Sequence, residues 1–500
     1  MADTKIAEGE QGLALGSSQG RLALLATIGA SAMASLDATI VNVALPHIGD
    51  DFHASVSALQ WVLTGYLLAL ASLILLGGAL GDRFGRRRIF IIGTIWFSAA
   101  SLLSGAAPNI EVLVFARFLQ GVGGALLTPG SLAIIQASFR KGDRAKAVGA
   151  WSGFGGIAGA IGPFVGGWLV DGPGWRWAFL INVPIGALVL VCTRAAVPET
   201  RDRHPGPIDI CGAALAASAL ALGTWSLTEA GPRGWTDPAV MIAGALAVIL
   251  AGTFVWWILH ARSPLVPPAL FRNRNFTVVN LATAALYAAI GTSFFLVAYE
   301  LQVAADWSAL QAGTALLPAT VLMFIGSAPS AALAQRIGPR LQLTVGPLLA
   351  AAGLLLLTRI GPHTTWGTDV LPGALVFGLG LVTFVAPLTA TVMASADPDH
   401  VSIASGVNNA IARTANLAAV AVIPVVSGLT AAVGAAEVTH SFRVSLVIAA
   451  TVAAIASPLA FFGLAARTRT MRTARRVTCA VDGPPLQADP ARCPTVTQAA

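Results

Sequence analysis

A chain of 500 residues in which 56% are hydrophobic and only 11% are charged is not an ordinary soluble protein, where about a quarter of residues carry charge. Its mean hydropathy of +0.76 and its many apolar runs of roughly 20 residues predict an all-α integral membrane protein. The net charge of +7 is not gathered on a basic face with interleaved aromatic residues, so nucleic acid is excluded as an expected partner.

Fourteen membrane spans are predicted along the chain. They cover residues 21–46, 56–80, 88–106, 111–132, 145–170, 176–197, 209–228, 238–260, 275–303, 309–334, 341–359, 369–394, 403–428 and 441–464. With the N-terminus inside, 24 of the 30 Lys and Arg residues fall in inside segments and 4 fall outside, while Arg117 and Arg413 lie within spans. Cytoplasmic segments of membrane proteins carry such an excess of basic residues, so both termini are expected to be cytoplasmic.

The first span contains one carboxylate, Asp37, in the run "LDATIVNVALP". A charged group at membrane depth costs at least roughly 2.5–3.5 kcal/mol on insertion scales, so Asp37 should face the interior of a helix bundle. There it could bind and release a proton, and a cationic substrate could compete for the same group. The alternative is a structural hydrogen bond between helices. Asn42, five residues further on, could add an amide contact.

Two similar loops predict an internal repeat. The loop after the second span reads "GALGDRFGRRR" (residues 78–88), and the loop after the tenth reads "AALAQRIGPR" (residues 331–340), with Gln335 at the position of Asp82. Spans 1–6 and 9–14 are therefore predicted to be two related six-helix halves, with spans 7 and 8 as an inserted pair. The first loop is a predicted conformational latch, in which glycines permit a tight turn and charged residues pair. Its residues are Gly78, Asp82, Arg83, Gly85, Arg86 and Arg87.

These features divide the chain into five predicted parts. They are a cytoplasmic N-terminal tail at 1–20, the first half at 21–200, the linker with two extra helices at 201–265, the second half at 266–465, and a basic tail expected to be disordered at 466–500. The longest polar stretch is thus a tail of 35 residues, too short for a soluble sensory or catalytic domain.

Several stretches resemble the major facilitator superfamily, and within it the fourteen-span drug:proton antiporters. Besides the two stretches quoted above from spans 1 and 2, they are "RFLQGVGGA" (117–125), "GAIGPFVGGW" (159–168), "WRWAFLINVPIG" (175–186) and "ASGVNNAIARTAN" (404–416). The resemblance covers about residues 20–465. It departs at Ala158, where the antiporter pattern has Gly, after Arg413, where a glycine-rich stretch is replaced, and at Glu300, where an aromatic residue is more usual.

The resemblance implies the major facilitator fold and proton-coupled export of small amphipathic drugs or antibiotics, with cationic compounds among the candidates, by alternating access. It implies that Asp37 and Arg117 couple protons, although Arg117 could instead extend to the membrane interface. The span 5 pattern would be an antiporter hinge, formed by Gly149, Gly162, Pro163, Gly166 and Gly167. The expected location is the bacterial plasma membrane, as a multi-pass monomer in contact with lipids.

Other polar residues are weaker candidates for substrate binding. They are Asn42, Gln60, Trp61, Glu300, Asn408 and Arg413. Gln60 and Trp61 could instead belong to an interfacial belt, and Glu300 could be exposed at the interface. Arg413 could attract an anion or pair with an acid, and the sequence leaves both open.

No enzyme is predicted, because the sequence contains no phosphate-binding loop, His-Glu-x-x-His zinc motif or nucleophile elbow. The proton gradient, and not ATP, is therefore the expected energy source, and neither a cofactor nor a metal ion is expected. The alternative function is an importer or facilitator of a specific small metabolite in the same superfamily. The Gly-Pro pattern of span 5 argues against that alternative.

Overall fold

The computed structural model describes residues 12–202, 207–395, 401–432 and 434–464. The predicted C-terminal tail at 466–500 lies outside the described residues, as does most of the N-terminal tail. Within these ranges the chain is helical, and its only β-type pairing is a single bridge between Leu13 and Phe139.

The helical segments are labelled α1 to α14 in chain order. They are α1 Ser18–Phe52, α2 Val56–Phe84, α3 Arg86–Gly105, α4 Ile110–Ser138, α5 Lys141–Asp171, α6 Trp177–Leu180 with Asn182–Ala196, α7 Ile210–Arg233, α8 Pro238–His260, α9 Arg274–Val303, α10 Ala309–Ala315 with Leu317–Ile337, α11 Pro339–Leu357, α12 Leu371–Ala394, α13 Val401–Val426 and α14 Ala435–Gly463. Short 3₁₀ turns lie at Pro268–Arg272 and Leu429–Ala431, and a π-helical turn at Trp366–Val370 precedes α12.

Short polar side chains set where several helices begin. Ser17 accepts a hydrogen bond from the backbone N–H of the third residue of α1 at 3.0 Å, and Asn109 does the same for α4 at 2.9 Å. Asp209 caps α7 in the same way at 2.8 Å. Such side chains satisfy backbone N–H groups that a helix start leaves unpaired, which is why the helices begin close to the predicted positions.

Thirteen helices of the described chain are long and apolar enough to cross a membrane. α5, which corresponds to the fifth predicted span, has comparable length but is not among the thirteen, and several of its side chains lie outside the description. The multi-pass helical prediction is therefore confirmed, while the count of fourteen spans and the cytoplasmic position of both termini stay predictions.

The two ends of the bundle differ in how the halves meet. We call the end where α1 begins and α14 ends the terminal end, and the opposite end the distal end. Apolar residues at the distal ends of α1 and α2, among them Ile48 and Leu59, share one continuous core with α9–α14. A second core nearer the terminal end includes Ala26 and Phe90 of the first half, and from the second half it takes residues of α13 alone, Leu417 and Ala410. The halves therefore share more core at the distal end.

The extra helices α7 and α8 pack against each other beside the bundle. α7 also contacts α2 of the first half and α13 of the second. It therefore covers one side of the boundary between the halves. α8 is largely exposed, as expected for a helix that faces lipid.

Candidate functional site

A buried ion pair lies in the first half, between α1 and α4. The Arg117 Nη1 atom is 2.6 Å from Asp37 Oδ2, and the two side chains are 1% and 0% exposed. As the sequence predicted, Asp37 faces the bundle interior, since a carboxylate at that depth needs polar partners. Arg117 does not extend to the membrane interface, so that alternative is wrong.

Three further polar side chains complete the network around Asp37. Gln120 Nε2 and Asn182 Nδ2 donate to Asp37 Oδ1 at 2.7 and 3.1 Å, and both also donate to the hydroxyl of Ser101. Asp37 therefore contacts side chains from α4 and α6, and Ser101 of α3 joins the network through them. Sequence reasoning did not single out these three residues, although two of them lie inside the quoted stretches "RFLQGVGGA" and "WRWAFLINVPIG".

The Arg117 guanidinium uses its remaining donors and its flat face within the first half. Its Nε donates to the carbonyl of Val62 at 3.1 Å, and Nη1 also donates to Gln120 Oε1 at 2.7 Å. The guanidinium carbon lies 4.3 Å from the ring centroid of Tyr66, a cation–π contact. Arg117 thus ties α4 to α1 and α2 at once, so a change in its pairing would affect how these three helices pack.

Half-buried faces of three helices from the two halves carry Leu36 and Asn42 on α1, Tyr287 and Phe294 on α9, and Arg413 on α13. We call this set of residues the central cleft. A small cavity nearer the distal end is lined by α1, α5, α9 and α10. Asn42, one of the predicted substrate contacts, lines this cavity.

Gln60 and Trp61 join helices near the distal end. Gln60 is fully buried, and its Nε2 donates to the carbonyl of Val420 on α13 at 3.0 Å. The Trp61 indole N–H donates to Glu229 on α7 at 3.1 Å. Both side chains are therefore engaged between helices in this conformation, and their predicted role in substrate binding stays a prediction.

Glu300 and Asn408 are held within the second half. Glu300 is 0% exposed, so the alternative of an exposed interface residue is wrong; its Oε1 accepts from the hydroxyl of Thr439 on α14 at 2.6 Å. Asn408 donates to Asn280 and Thr283 of α9 at 3.0 and 2.9 Å. Their predicted role in substrate binding stays a prediction.

The span 5 pattern lies where α5 meets both halves. A Cβ atom on Gly162 would fall 1.9 Å from Thr39 Oγ1 of α1, and one on Gly167 would fall 2.4 Å from the Cα of Leu310 on α10. At Gly167 only glycine permits so close an approach of two backbones, and at Gly162 the absence of a side chain makes room for the Thr39 hydroxyl. Gly166 faces α1 in the same way, and Pro163 contacts Gly313 of α10, whereas Gly149 has open space around it.

Asp171, at the end of α5, adds a polar contact to this junction. Its two carboxylate oxygens accept from the backbone N–H groups of Ala309 and Leu310 at 3.0 and 2.9 Å. A carboxylate is stabilised at the N-terminus of a helix, here α10 of the second half. Together with the bond from Gln302 to the Val43 carbonyl at 3.1 Å, this contact links the halves at the distal end.

The predicted latch lies in the turn between α2 and α3, at the terminal end. Asp82 pairs with Arg86 at 2.7 Å, and Gly85 has a backbone φ of +109°, which favours glycine. Glu199, which the sequence did not indicate, accepts from the backbone N–H groups of Arg87 and Arg88 at 3.1 and 3.2 Å. The turn also accepts one hydrogen bond from the start of the linker, where the Asp202 N–H donates to the Asp82 carbonyl at 2.9 Å; its other described contacts lie within the first half. Gly78 packs beside Pro129, and Arg83 lies over the Phe84 ring.

In the described part of the chain, His, Cys, Asp and Glu do not gather in groups of three or more that could hold a metal ion. What the arrangement offers instead is a buried charge pair in the first half, together with half-buried polar and aromatic side chains on α1, α9 and α13. Such an arrangement can bind a proton at a fixed carboxylate and a ligand in the cleft.

The model of the Major Facilitator Superfamily matches residues 27–419 of this sequence. The chain belongs to the major facilitator superfamily. It is therefore a membrane transporter and not an enzyme, and it is a multi-pass protein of the cell membrane.

The transporter is similar to characterised relatives over most of its length. It is 35% identical to the puromycin resistance protein of Streptomyces alboniger, covering 89% of this chain and 91% of the relative. It is 34% identical to the tetracenomycin C resistance and export protein of Streptomyces glaucescens, covering 80% and 75%. A crystal structure of the peptide transporter POT in complex with sulfate shares the fold, with a TM-score of 0.63 at 17% identity over 92% of this chain and 97% of that one.

Proposed function

We propose that this transporter exports small amphipathic drugs or antibiotics from the cytoplasm in exchange for protons, by alternating access. The resistance and export proteins to which it is similar support the substrate class. The observation that carries the coupling is the buried Asp37–Arg117 pair, a titratable group that is inaccessible to lipid and lies beside the cleft. Buried ionisable groups within a membrane bundle are expensive to maintain, which favours a functional reason for keeping them.

In the proposed cycle the described conformation is open towards the cytoplasm. The halves are joined at the distal end by the contacts of Asp171, Gln302 and Gln60, while in the core nearer the terminal end the second half contributes only α13. If the terminal end is cytoplasmic, as the basic residues predict, a substrate enters the cleft from the cytoplasm. Release to the outside then requires the distal contacts to part and the terminal ends to close.

The proton acts through the ion pair. Protonating Asp37 removes the charge that Arg117 neutralises and leaves a buried guanidinium without its counter-ion, which is a costly arrangement. The guanidinium would then favour another packing of α1, α2 and α4, which it joins. Because Asp37 is fully buried here, proton and substrate need not share one binding site. They need only favour different conformations, which suffices for coupling.

The variant Asp37→Asn tests this proposal in proteoliposomes with an imposed pH gradient. Puromycin and tetracenomycin C are the first compounds to try, because relatives are named for them. We expect wild-type protein to move a substrate uphill and the Asp37→Asn protein to lose gradient-driven transport. Asp51→Asn is the matched control, since Asp51 is a carboxylate on the same helix whose partner Arg176 is exposed.

Two outcomes would count against the proposal. Undiminished gradient-driven export by the Asp37→Asn protein would remove Asp37 from the coupling mechanism. Downhill uptake that ignores the proton gradient in the wild type would favour the importer or facilitator alternative.

A further inference from the structure

Arg413 differs from the other charged residues in the middle of the bundle. Asp37 and Arg117 pair with each other, and Glu300 is bonded to Thr439. Arg413 forms no hydrogen bond or ion pair with any described residue, although it lies halfway along α13 and is half-buried. A guanidinium at membrane depth is costly unless it faces water or a partner, so its surroundings need an explanation.

The position of Arg413 on its helix places it between the two halves. Ala410 and Leu417, one turn before and after it, pack into the core of the first half. Val407 and Val420 pack into the core that contains the second half. Because residues three and four apart share one face of a helix, Arg413 lies on the face of α13 that is turned towards the first half.

The neighbours of Arg413 come from both halves. The helices α2 and α9 both pack against α13, and their residues Tyr66 and Tyr287 lie within electrostatic range of the Arg413 charge. Asn409 lies one turn earlier on α13 and is also half-buried. Tyr287 and Phe294 of α9 are half-buried too, and they pack against the core that contains the second half. The site therefore combines one cation, polar groups and an apolar wall.

We propose that the cleft binds amphipathic anions, with the guanidinium of Arg413 pairing the carboxylate, sulfonate or ionised phenol of the transported compound. This proposal rests on the proposed export function and specifies its substrate class. A planar guanidinium presents paired N–H donors that match an anionic group, and the ligand would supply the counter-charge that the described chain does not. The aromatic wall would hold the apolar part of the compound.

The same geometry disfavours a cationic substrate in this conformation. The two carboxylates among the predicted proton-coupling and substrate-binding residues are Asp37 and Glu300. Both are fully buried and already hold hydrogen bonds. A cation in the cleft would therefore meet the positive charge of Arg413 without a free carboxylate among the described cleft residues to offset it.

The test compares two ligands that differ only in charge. 9-Anthracenecarboxylate and 9-anthracenecarboxamide share one ring system, and their binding to the purified full-length transporter can be followed by fluorescence without a pH gradient. We expect wild-type protein to bind the carboxylate about 10- to 100-fold more tightly than the amide, the range for a hydrogen bond to a charged group. Equal affinities for the two would overturn the proposal without any variant.

Variants of Arg413 give the second measurement. Arg413→Gln should lower carboxylate affinity by about 10- to 100-fold and leave amide affinity unchanged, and Arg413→Lys should restore part of the loss because it keeps the charge. Arg359→Gln removes the same charge from an exposed position outside the cleft and should alter neither affinity. An equal loss for both ligands in Arg413→Gln would mean that Arg413 only supports the fold, and the proposal would fail.

The two proposals can fail separately. Equilibrium anion binding does not require proton coupling, so the Asp37→Asn protein should still prefer the carboxylate. If that variant exports normally while the charge preference holds, the coupling proposal fails and the anion site stands. If export depends on Asp37 but the preference is absent, only the anion site fails.

Discussion

Two Asp–Arg pairs in the first half contain the same residue types but lie in different surroundings. Both begin on α1: Asp37 pairs with Arg117 at 2.6 Å in the middle of the bundle, and Asp51 pairs with Arg176 at 2.8 Å near the distal end. The first pair is at most 1% exposed, whereas the side chains of the second are 43% and 45% exposed. Exposed pairs contribute about 0–1 kcal/mol, while breaking a buried pair from one side costs about 3–5 kcal/mol.

The surroundings match that difference. Asp51 also accepts from the indole N–H of Trp175 at 3.1 Å, and Arg176 lies over the same ring, so this pair fastens the ends of α1 and α6 in contact with solvent. Water can replace such contacts readily. Around Asp37 the replacement partners are protein side chains on other helices, so a change of charge there must move helices. Because it is buried, the Asp37–Arg117 pair is the better candidate of the two for the proposed conformational switch.

The largest expected effect is a difference between the two pairs in how much the loss of the arginine lowers the free energy of unfolding. Arg117→Gln should lower the free energy of unfolding in detergent by about 3–5 kcal/mol, because it leaves Asp37 buried without its cation. Arg176→Gln should lower it by no more than about 1 kcal/mol. Chemical denaturation followed by tryptophan fluorescence measures both. The double variant Asp37→Asn with Arg117→Gln should recover part of the loss, and equal losses for the two single variants would contradict the contrast.

An intermediate effect should arise where α5 meets α10 at the distal end. Gly167→Val places side-chain atoms where the backbone of Leu310 lies, and such overpacking costs about 1–3 kcal/mol. The closed distal interface should therefore open more often while the Asp37–Arg117 pair stays intact. Labelling of a cysteine at Thr320, which lines the inter-half cavity, should become faster with a membrane-impermeant maleimide. The background for this assay replaces Cys211, Cys479 and Cys493 by Ser and keeps the buried Cys192.

The control for that variant lies in the same helix. Gly149→Val adds the same side chain where no atom lies within 4 Å, so labelling at Thr320 should not change. Faster labelling in both variants would mean that glycine content of α5, and not the contact with α10, governs the opening.

The smallest expected effect concerns the carboxylate at the same junction. Asp171→Asn removes the charge that faces the N-terminus of α10 but keeps an oxygen able to accept one hydrogen bond. Charge at a helix N-terminus contributes about 0.3–1 kcal/mol, so opening of the distal interface should increase only about two- to fivefold. The same labelling assay measures it, and an effect as large as that of Gly167→Val would show that the charge, and not backbone contact, holds the interface.

The free-energy cost of placing a charged residue within a span could be predicted from the sequence, but the partners of that residue in the folded bundle could not. The apolar runs determined the helices, and the cost of a charge within a span determined that Asp37 lies inside the bundle. Gln120, Asn182 and Ser101 could not be assigned to Asp37, because they lie on three different helices whose rotation and tilt the sequence does not specify. Glu300 was equally ambiguous, since its depth depends on α14 covering it.

The sequence by itself determined the membrane-spanning character, the family resemblance and the few polar residues that need a partner within the bilayer. Only the tertiary structure decided which partner each one has. It joined Asp37 to Arg117 across 80 positions of sequence, held Asn408 within its own half and left Arg413 facing the cleft without a described partner. The physical reason is that the hydropathy of a span depends only on its own residues, whereas the pairing of polar side chains depends on how the helices pack around one another.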